Sequence, residues 1–135
     1  MNRKFFAKRS VIRLPKKVSS FVVWEYTYAK TYNFLINTDA PNIANEPAIK
    51  NKPELNEIIH QPYLDAYNRL SRSRPTGYGP GNIPVSEILI YWNNLPLGDK
   101  EDFLHIIQTI DDGFLKAYYD DPKNSPNTNV EVKKS

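Results

Sequence analysis

A chain of 135 residues accommodates one domain with tails, and the absence of cysteine excludes disulfides and thiolate metal sites. The net charge of +3 hides an asymmetry, because seven of the 18 basic residues and none of the 15 acids lie within residues 1–17. The rest of the chain is therefore mildly acidic. Since no apolar run reaches the roughly 18 residues that span a bilayer, we expect no membrane partner.

The N-terminal stretch is predicted to be an extended basic arm over residues 1–18. It lacks the continuous apolar core of a secretory signal. A basic opening without acids is also typical of mitochondrial presequences, and that interpretation stays open beside a flexible, solvated arm. The candidate contact residues of the arm are its bases: Arg3, Lys4, Lys8, Arg9, Arg13, Lys16 and Lys17.

Residues 19–120 are predicted to form a single helical domain. Its first element, over residues 20–36, has large side chains at helical spacing, at Phe21, Trp24, Tyr28, Tyr32 and Leu35. An alternation of apolar residues that begins at Val22 favours a strand instead. We predict a helix because the segment is longer than an ordinary strand, and we keep the strand as the alternative.

Residues 37–53 contain three prolines and several asparagines, which indicates a linker across the surface. Helical character returns between residues 54 and 72. Leu55, Ile58 and Ile59 are predicted to form a short apolar patch there. Over residues 63–70, apolar side chains recur every three residues and predict a helix with one buried face. Pro62 suits the first turn of that helix, and it either kinks one helix or separates two.

A glycine-rich loop follows, with three glycines and two prolines that cannot continue a helix. A nucleotide-binding loop would need a Lys-Ser or Lys-Thr pair after its last glycine, and this loop has none. We interpret it as a tight turn that presents a partner surface. The candidate residues of that surface are Arg72, Arg74, Gly77, Tyr78, Gly79 and Gly81.

Two apolar stripes predict a C-terminal antiparallel helical hairpin over residues 84–119, buttressed by the 63–70 helix. The first stripe consists of Val85, Ile88, Leu89 and Trp92, and the second of Phe103, Ile106, Ile107, Ile110, Phe114 and Tyr118. Asp99 is placed to cap the second helix. Residues 121–135 are predicted to be a flexible tail. The predicted fold class is therefore all-α.

No residue cluster points to a reaction. The two histidines, His60 and His105, are far apart in sequence, and a metal site would need further acids to complete it. Asp111 and Asp112 are adjacent, so on a helix their carboxylates point about 100° apart and do not converge. We expect no enzymatic activity, no cofactor and no metal.

The second half of the chain contains Tyr-Leu-Asp-Ala-Tyr at 63–67, Arg-Pro-Thr-Gly-Tyr-Gly-Pro-Gly at 74–81 and Ile-Pro-Val-Ser-Glu-Ile at 83–88. Ile-Asp follows at 110–111 and Phe-Leu at 114–115. Over about residues 62–119, this pattern resembles small tailed-phage and prophage proteins of virion-morphogenesis clusters, of a tail-assembly or accessory structural type. Many of those carry tryptophan where this chain has Val85.

The resemblance implies a non-enzymatic virion structural or assembly protein, located in the virion or the host cytoplasm. Its implied partners are other phage proteins, in a homo- or hetero-oligomer. The basic arm lies outside the pattern, and its composition supports an alternative function. Because its bases could neutralise phosphates, the chain could instead be a nucleic-acid-binding accessory protein.

Overall fold

The computed structural model describes the backbone of residues 2–39 and 41–124, with the side chains of 13–39 and 41–124. Over these residues the chain consists of helices, turns and loops without a strand, which confirms the all-α prediction. The helices are α1 (Asn2–Asn37), α2 (Pro47–Lys50), α3 (Gln61–Leu70), α4 (Val85–Asn94) and α5 (Lys100–Asp120). Short 3₁₀ turns lie at Ile43–Asn45, Ser71–Ser73 and Pro122–Asn124.

Helix α1 confirms the helix predicted for residues 20–36, and it begins much earlier, at Asn2. Leu14, Val18 and Val22 are spaced four residues apart and are buried in the core. Such spacing puts them on one face of the helix. The prediction of an extended arm up to residue 18 is therefore corrected for residues 13–18, which are helical and part of the domain. The charged residues around Leu14 had obscured this apolar stripe.

Helices α1 and α5 pack side by side in the same direction. Gly113 of α5 faces Ser19, and a Cβ on Gly113 would overlap the Ser19 hydroxyl group. Further along, the Tyr26 ring packs edge-on against Phe114, with their centroids 5.8 Å apart. The absence of a side chain at Gly113 thus permits a close approach between the two longest helices.

The predicted hairpin is confirmed by α4 and α5. The Tyr91 ring stacks on Phe103 with 5.9 Å between the centroids, and the Asp99 side chain caps α5 by accepting backbone N–H bonds. The predicted burial of Val85 is wrong. Val85 is 45% exposed, and Ile83 is buried in the core instead. The extended backbone at Pro84 places the start of α4 so that Val85 faces solvent.

The 37–53 segment is more structured than predicted. It contains α2, whose Ala48 is buried against α1. The Trp24 indole N–H donates to the Ala48 carbonyl over 3.0 Å, and the Lys52 ammonium group lies 4.5 Å from the centroid of the Tyr32 ring. A cation over an aromatic face is attracted by the ring electrons. The C-terminal part of this segment is therefore attached to α1 at Ala48 and Lys52.

Helix α3 confirms the predicted 63–70 helix, with Pro62 in its first turn and Leu64, Tyr67 and Leu70 buried. The residues before it are not helical. Leu55 packs against the core, whereas Ile58 and Ile59 are exposed. The predicted apolar patch over these three residues is thus wrong.

The predicted tail begins with a short ordered turn. Asn124 donates from its side chain to the Tyr26 hydroxyl and to the Tyr118 carbonyl, which joins the end of α5 to α1. Residues 125–135 lie outside the described residues. In the described part of the chain, no helix has the length and apolar character needed to cross a membrane.

Candidate partner-binding site

The loop over residues 74–83 is fastened to α5 by a buried ion pair. The Arg74 Nη2 atom lies 2.7 Å from Oδ1 of Asp111, and the two side chains are 8% and 3% exposed. The Arg74 guanidinium group also lies against the ring of Phe114, 4.9 Å from its centroid. Removing two charges from water is costly, so this pair is stable only if further hydrogen bonds satisfy both groups.

Those further bonds are present and come from three parts of the chain. The Tyr67 hydroxyl of α3 donates to Asp111 Oδ1 over 3.0 Å, and Arg74 Nη2 donates to the same hydroxyl. The Ile83 backbone N–H donates to Asp111 Oδ2 over 3.0 Å, and Arg74 Nη1 donates to the Gly81 carbonyl over 2.8 Å. In the described part of the chain, every buried side-chain nitrogen and oxygen has a partner.

The electrostatics of Tyr67 agree with a structural role for this cluster. Burial, and after it the charge of Asp111, raise the pKa of the Tyr67 hydroxyl well above its ordinary value. The phenol therefore stays protonated and keeps donating to Asp111 at physiological pH. The cluster of Tyr67, Arg74 and Asp111 holds the loop against α3 and α5, because its hydrogen bonds join residues from all three parts of the chain.

The tip of the loop is fixed by a second set of contacts. The Gly81 N–H donates to the Pro75 carbonyl over 2.7 Å, and the Tyr119 hydroxyl donates to the Pro80 carbonyl over 2.7 Å. Gly79 has a φ of +145°, and a Cβ there would lie 2.9 Å from the Tyr119 hydroxyl oxygen. Only glycine adopts this backbone conformation readily.

The six predicted surface residues differ in exposure, and Gly79 and Gly81 are half-buried in the loop contacts described above. Tyr78 is fully exposed at the tip, and Gly77 and Arg72 are exposed beside or below it. Arg74 instead points inward, which corrects its assignment to an exposed surface. The Arg74 guanidinium group links the loop to Asp111 on its buried side. The role of the outward-facing residues as a partner surface stays a prediction.

The predicted arm contacts are described only in part. Arg13, Lys16 and Lys17 are exposed on α1. The side chains of Arg3, Lys4, Lys8 and Arg9 lie outside the described residues, although their backbone belongs to α1.

The histidines do not assemble into a metal centre. His105 is exposed on α5, and His60 uses Nδ1 to accept a backbone hydrogen bond from Asn56. Among the described residues, no three histidines, cysteines or acids lie close enough together to hold a metal ion.

Sequence reasoning missed the structural role of Asp111. A usable signal existed, because Asp111 follows Ile107 by four residues and therefore lies within the apolar stripe of α5. A charged residue at such a position requires a buried partner. The chain offers several bases, and nothing in the spacing distinguishes Arg74, 37 residues away, from the others.

Comparison with known proteins gives one family. The sequence profile of the phage tail assembly chaperone family matches residues 42–116, which is more than half of the chain. This match confirms the resemblance seen in the sequence. The matched segment contains α2, α3, α4, the loop and most of α5, including Arg74 and Asp111. No curated protein and no solved structure matches the chain.

Proposed function

Because the chain belongs to the phage tail assembly chaperone family, we propose that it assists tail assembly by binding other phage tail proteins, without catalysing a reaction. It would act in the host cytoplasm while tails are assembled. The observation that supports this proposal is the exposed Tyr78 on a loop whose base is held by the Arg74–Asp111 ion pair.

A rigid loop with an exposed tyrosine suits protein recognition. Tyrosine side chains are enriched among the residues that contribute most to binding energy at interfaces. Since the loop is already ordered by contacts to α3 and α5, binding need not order it first. The loop surface of the proposal consists of Arg72, Gly77 and Tyr78, and the bases of α1 provide a second contact region.

The test is retention of tail proteins from the same phage, co-expressed with the affinity-tagged chain. We expect Tyr78→Ser to reduce the retained tail protein at least several-fold. Phe34→Ser is the matched control, because Phe34 is an exposed aromatic residue at the far end of α1. If wild-type chain retains no tail protein, or if both variants lose it equally, the proposal fails.

Nucleic-acid binding through the basic stretch is the second candidate. It is favoured by the exposed side chains of Arg13, Lys16 and Lys17. Binding by phosphate neutralisation weakens steeply as salt rises. A salt titration with duplex DNA and with RNA tests it, using wild-type chain and the variant Arg13→Glu/Lys16→Glu/Lys17→Glu. Absence of binding at low salt would remove this candidate.

A further inference from the structure

Two buried apolar residues lie apart from the core. In the described part of the chain, every buried apolar side chain except Trp24 and Ala48 belongs to one contiguous cluster. Trp24 follows Val22 by two residues, which places it about 200° further round α1 than the core-facing Val22. Trp24 is nevertheless only 7% exposed. It is covered by the segment that carries Ala48 and by neighbouring rings of α1.

Residues 43–52, here called the strap, lie along α1 and are held by few contacts. The Trp24 indole N–H donates to the Ala48 carbonyl over 3.0 Å. The Lys52 ammonium group lies 5.6 Å from the centroid of the Trp24 ring and donates to the Tyr32 hydroxyl over 3.3 Å. Within the strap, Ala48 is the one fully buried side chain. The buried part of the attachment is therefore small.

The backbone of the strap has little stability of its own. Helix α2 is only four residues long, and its N-cap residue, Glu46, makes no side-chain hydrogen bond to the helix. A helix this short does not form in isolation. Just before the strap, Asp39 and Asn42 have φ values of 51° and 59°, in the left-handed region that costs free energy for residues other than glycine. The closed position of the strap therefore depends on its contacts with α1.

Both ends of the strap are attached to the domain independently of these contacts. On the N-terminal side, the Thr38 N–H continues the hydrogen bonding of α1 by donating to the Phe34 carbonyl over 3.1 Å. On the C-terminal side, Leu55 packs against the core cluster. Separation of the strap from α1 thus moves only the residues between Thr38 and Leu55, and it leaves the core cluster intact.

We propose that the strap opens from α1 while the core stays folded, and that it thereby controls whether the rings of Trp24 and Tyr32 are covered or face solvent. Segments held by few buried apolar contacts open at a lower free energy than the core of the same protein. Strap opening is a property of the chain alone, and it does not depend on the binding of a tail protein.

Hydrogen exchange of the Trp24 indole N–H, followed by NMR on the full chain, measures strap opening directly, because this N–H is bonded to the Ala48 carbonyl. The Trp92→Phe variant assigns the two indole signals. The backbone amide of Ile107, on the buried face of α5, is the core reference. After correction for intrinsic exchange rates, we expect at least about 10-fold less protection at the indole than at Ile107. The indole protection should also fall less steeply with urea, since local opening exposes less surface.

Two results of this measurement would overturn the proposal. If the indole and the Ile107 amide show the same protection and the same dependence on urea, the strap opens only when the whole domain unfolds. If the indole exchanges as fast as that of free tryptophan, the strap does not cover Trp24 in solution.

The cation of the strap is tested by Lys52→Gln. Loss of the charge beside the two rings should speed exchange of the Trp24 indole by about 2- to 5-fold, as expected for an exposed cation–π contact. Protection of the Ile107 amide should fall by no more than the same factor. Lys50→Gln is the matched control, because Lys50 is an exposed lysine of the same segment. Equal effects of the two variants would contradict the role of Lys52.

A second variant forces the strap open. Ala48 is 1% exposed, so a leucine there has no room between the strap and α1. Ala48→Leu should leave the Trp24 indole unprotected, while the Ile107 amide stays protected. Ala44→Leu, at an exposed position of the strap, should exchange like wild type. Equal protection of the indole and Ile107 in Ala48→Leu would show that the strap and the core open as one unit, and it would overturn the proposal.

Discussion

Arg74 joins three parts of the chain through one guanidinium group. It contacts Asp111 in α5, the Tyr67 hydroxyl in α3 and the carbonyl of Gly81 in the loop. Replacing one member of a buried pair leaves the other charge without compensation, which costs more than the pair itself contributes. The position of the loop is therefore sensitive to this one side chain.

The variant Arg74→Met should lower the free energy of unfolding by about 3–5 kcal/mol, because Asp111 would remain buried and unpaired. Urea denaturation measures this difference. Arg72→Met is the control, since Arg72 is exposed and its loss should change stability by no more than about 0.5 kcal/mol. Similar stabilities of the two variants would contradict the structural role of the ion pair.

His60 provides a pH-dependent contribution to stability. Burial, and then the charge of Lys17, lower the pKa of His60 below its ordinary value of 6.5. The unfolded chain thus takes up the proton first as the pH falls. This contribution to stability is fully present above pH 6.5 and is lost as the pH decreases through 6.5 toward the lowered pKa. Protonation of Nδ1 would also remove the acceptor for the Asn56 N–H.

Measurements of unfolding free energy between about pH 5 and pH 8 test the histidine effect. His60→Asn should reduce the loss of stability at low pH, because an amide oxygen can accept the Asn56 N–H without titrating. An unchanged pH dependence in His60→Asn would refute this assignment.

At the scale of elements, the helical stripes allowed prediction of α3, α5 and the hairpin. Their apolar positions recur with the period of a helix, so sequence alone places most of their buried side chains, with Val85 as the exception. The start of α1 was not predicted, because bases surround the apolar positions at Leu14 and Val18. The turn before α3 was not predicted either, since it depends on one side chain, Asn56, accepting two N–H bonds.

The candidate site was predictable only in outline. The glycines and prolines indicated a tight loop, and the structure places Tyr78 exposed at its tip. The direction of Arg74 was not predictable, because an arginine beside such a loop suits either solvent or a buried acid. That choice depends on α5 lying under the loop, which is a tertiary contact between residues 37 apart.

The loop itself gives a matched glycine test. Gly79→Ala should destabilise the protein by about 1–3 kcal/mol, because alanine at a φ of +145° is strained and its Cβ would crowd the Tyr119 hydroxyl. Gly77→Ala should be nearly neutral, since no atom lies within 4 Å of its added Cβ. Thermal unfolding measures both, and equal effects would show that the loop is not held as described.

At the scale of the whole molecule, the family match and the folded core do not coincide. The profile begins at residue 42 and so excludes α1. Yet α1 contributes Leu14, Val18 and Val22 to the same core as α3 and α5. The segment shared with the family therefore completes its apolar core with side chains from outside the matched region.

Replacing Leu14 with alanine tests whether the basic stretch belongs to the domain. The change should cost about 2–5 kcal/mol, as expected for removing a buried leucine side chain from a packed core. Lys16→Ala, on the exposed side of the same helical turn, should have little effect. Urea denaturation of both variants measures the free energy of unfolding. An unchanged free energy of unfolding in Leu14→Ala would show that residue 14 lies outside the core.

The hydrogen bond between the Trp24 indole and the Ala48 carbonyl makes the fluorescence of Trp24 sensitive to the position of α2. The indole ring is shielded from water while α2 covers it, so its intrinsic fluorescence should be blue-shifted. In the variant Trp92→Phe, Trp24 is the remaining tryptophan, and its emission reports on the junction of α1 and α2. A tail protein that displaces α2 from α1 when it binds would expose Trp24 to water and shift its emission to the red. One that binds elsewhere would leave the emission spectrum unchanged.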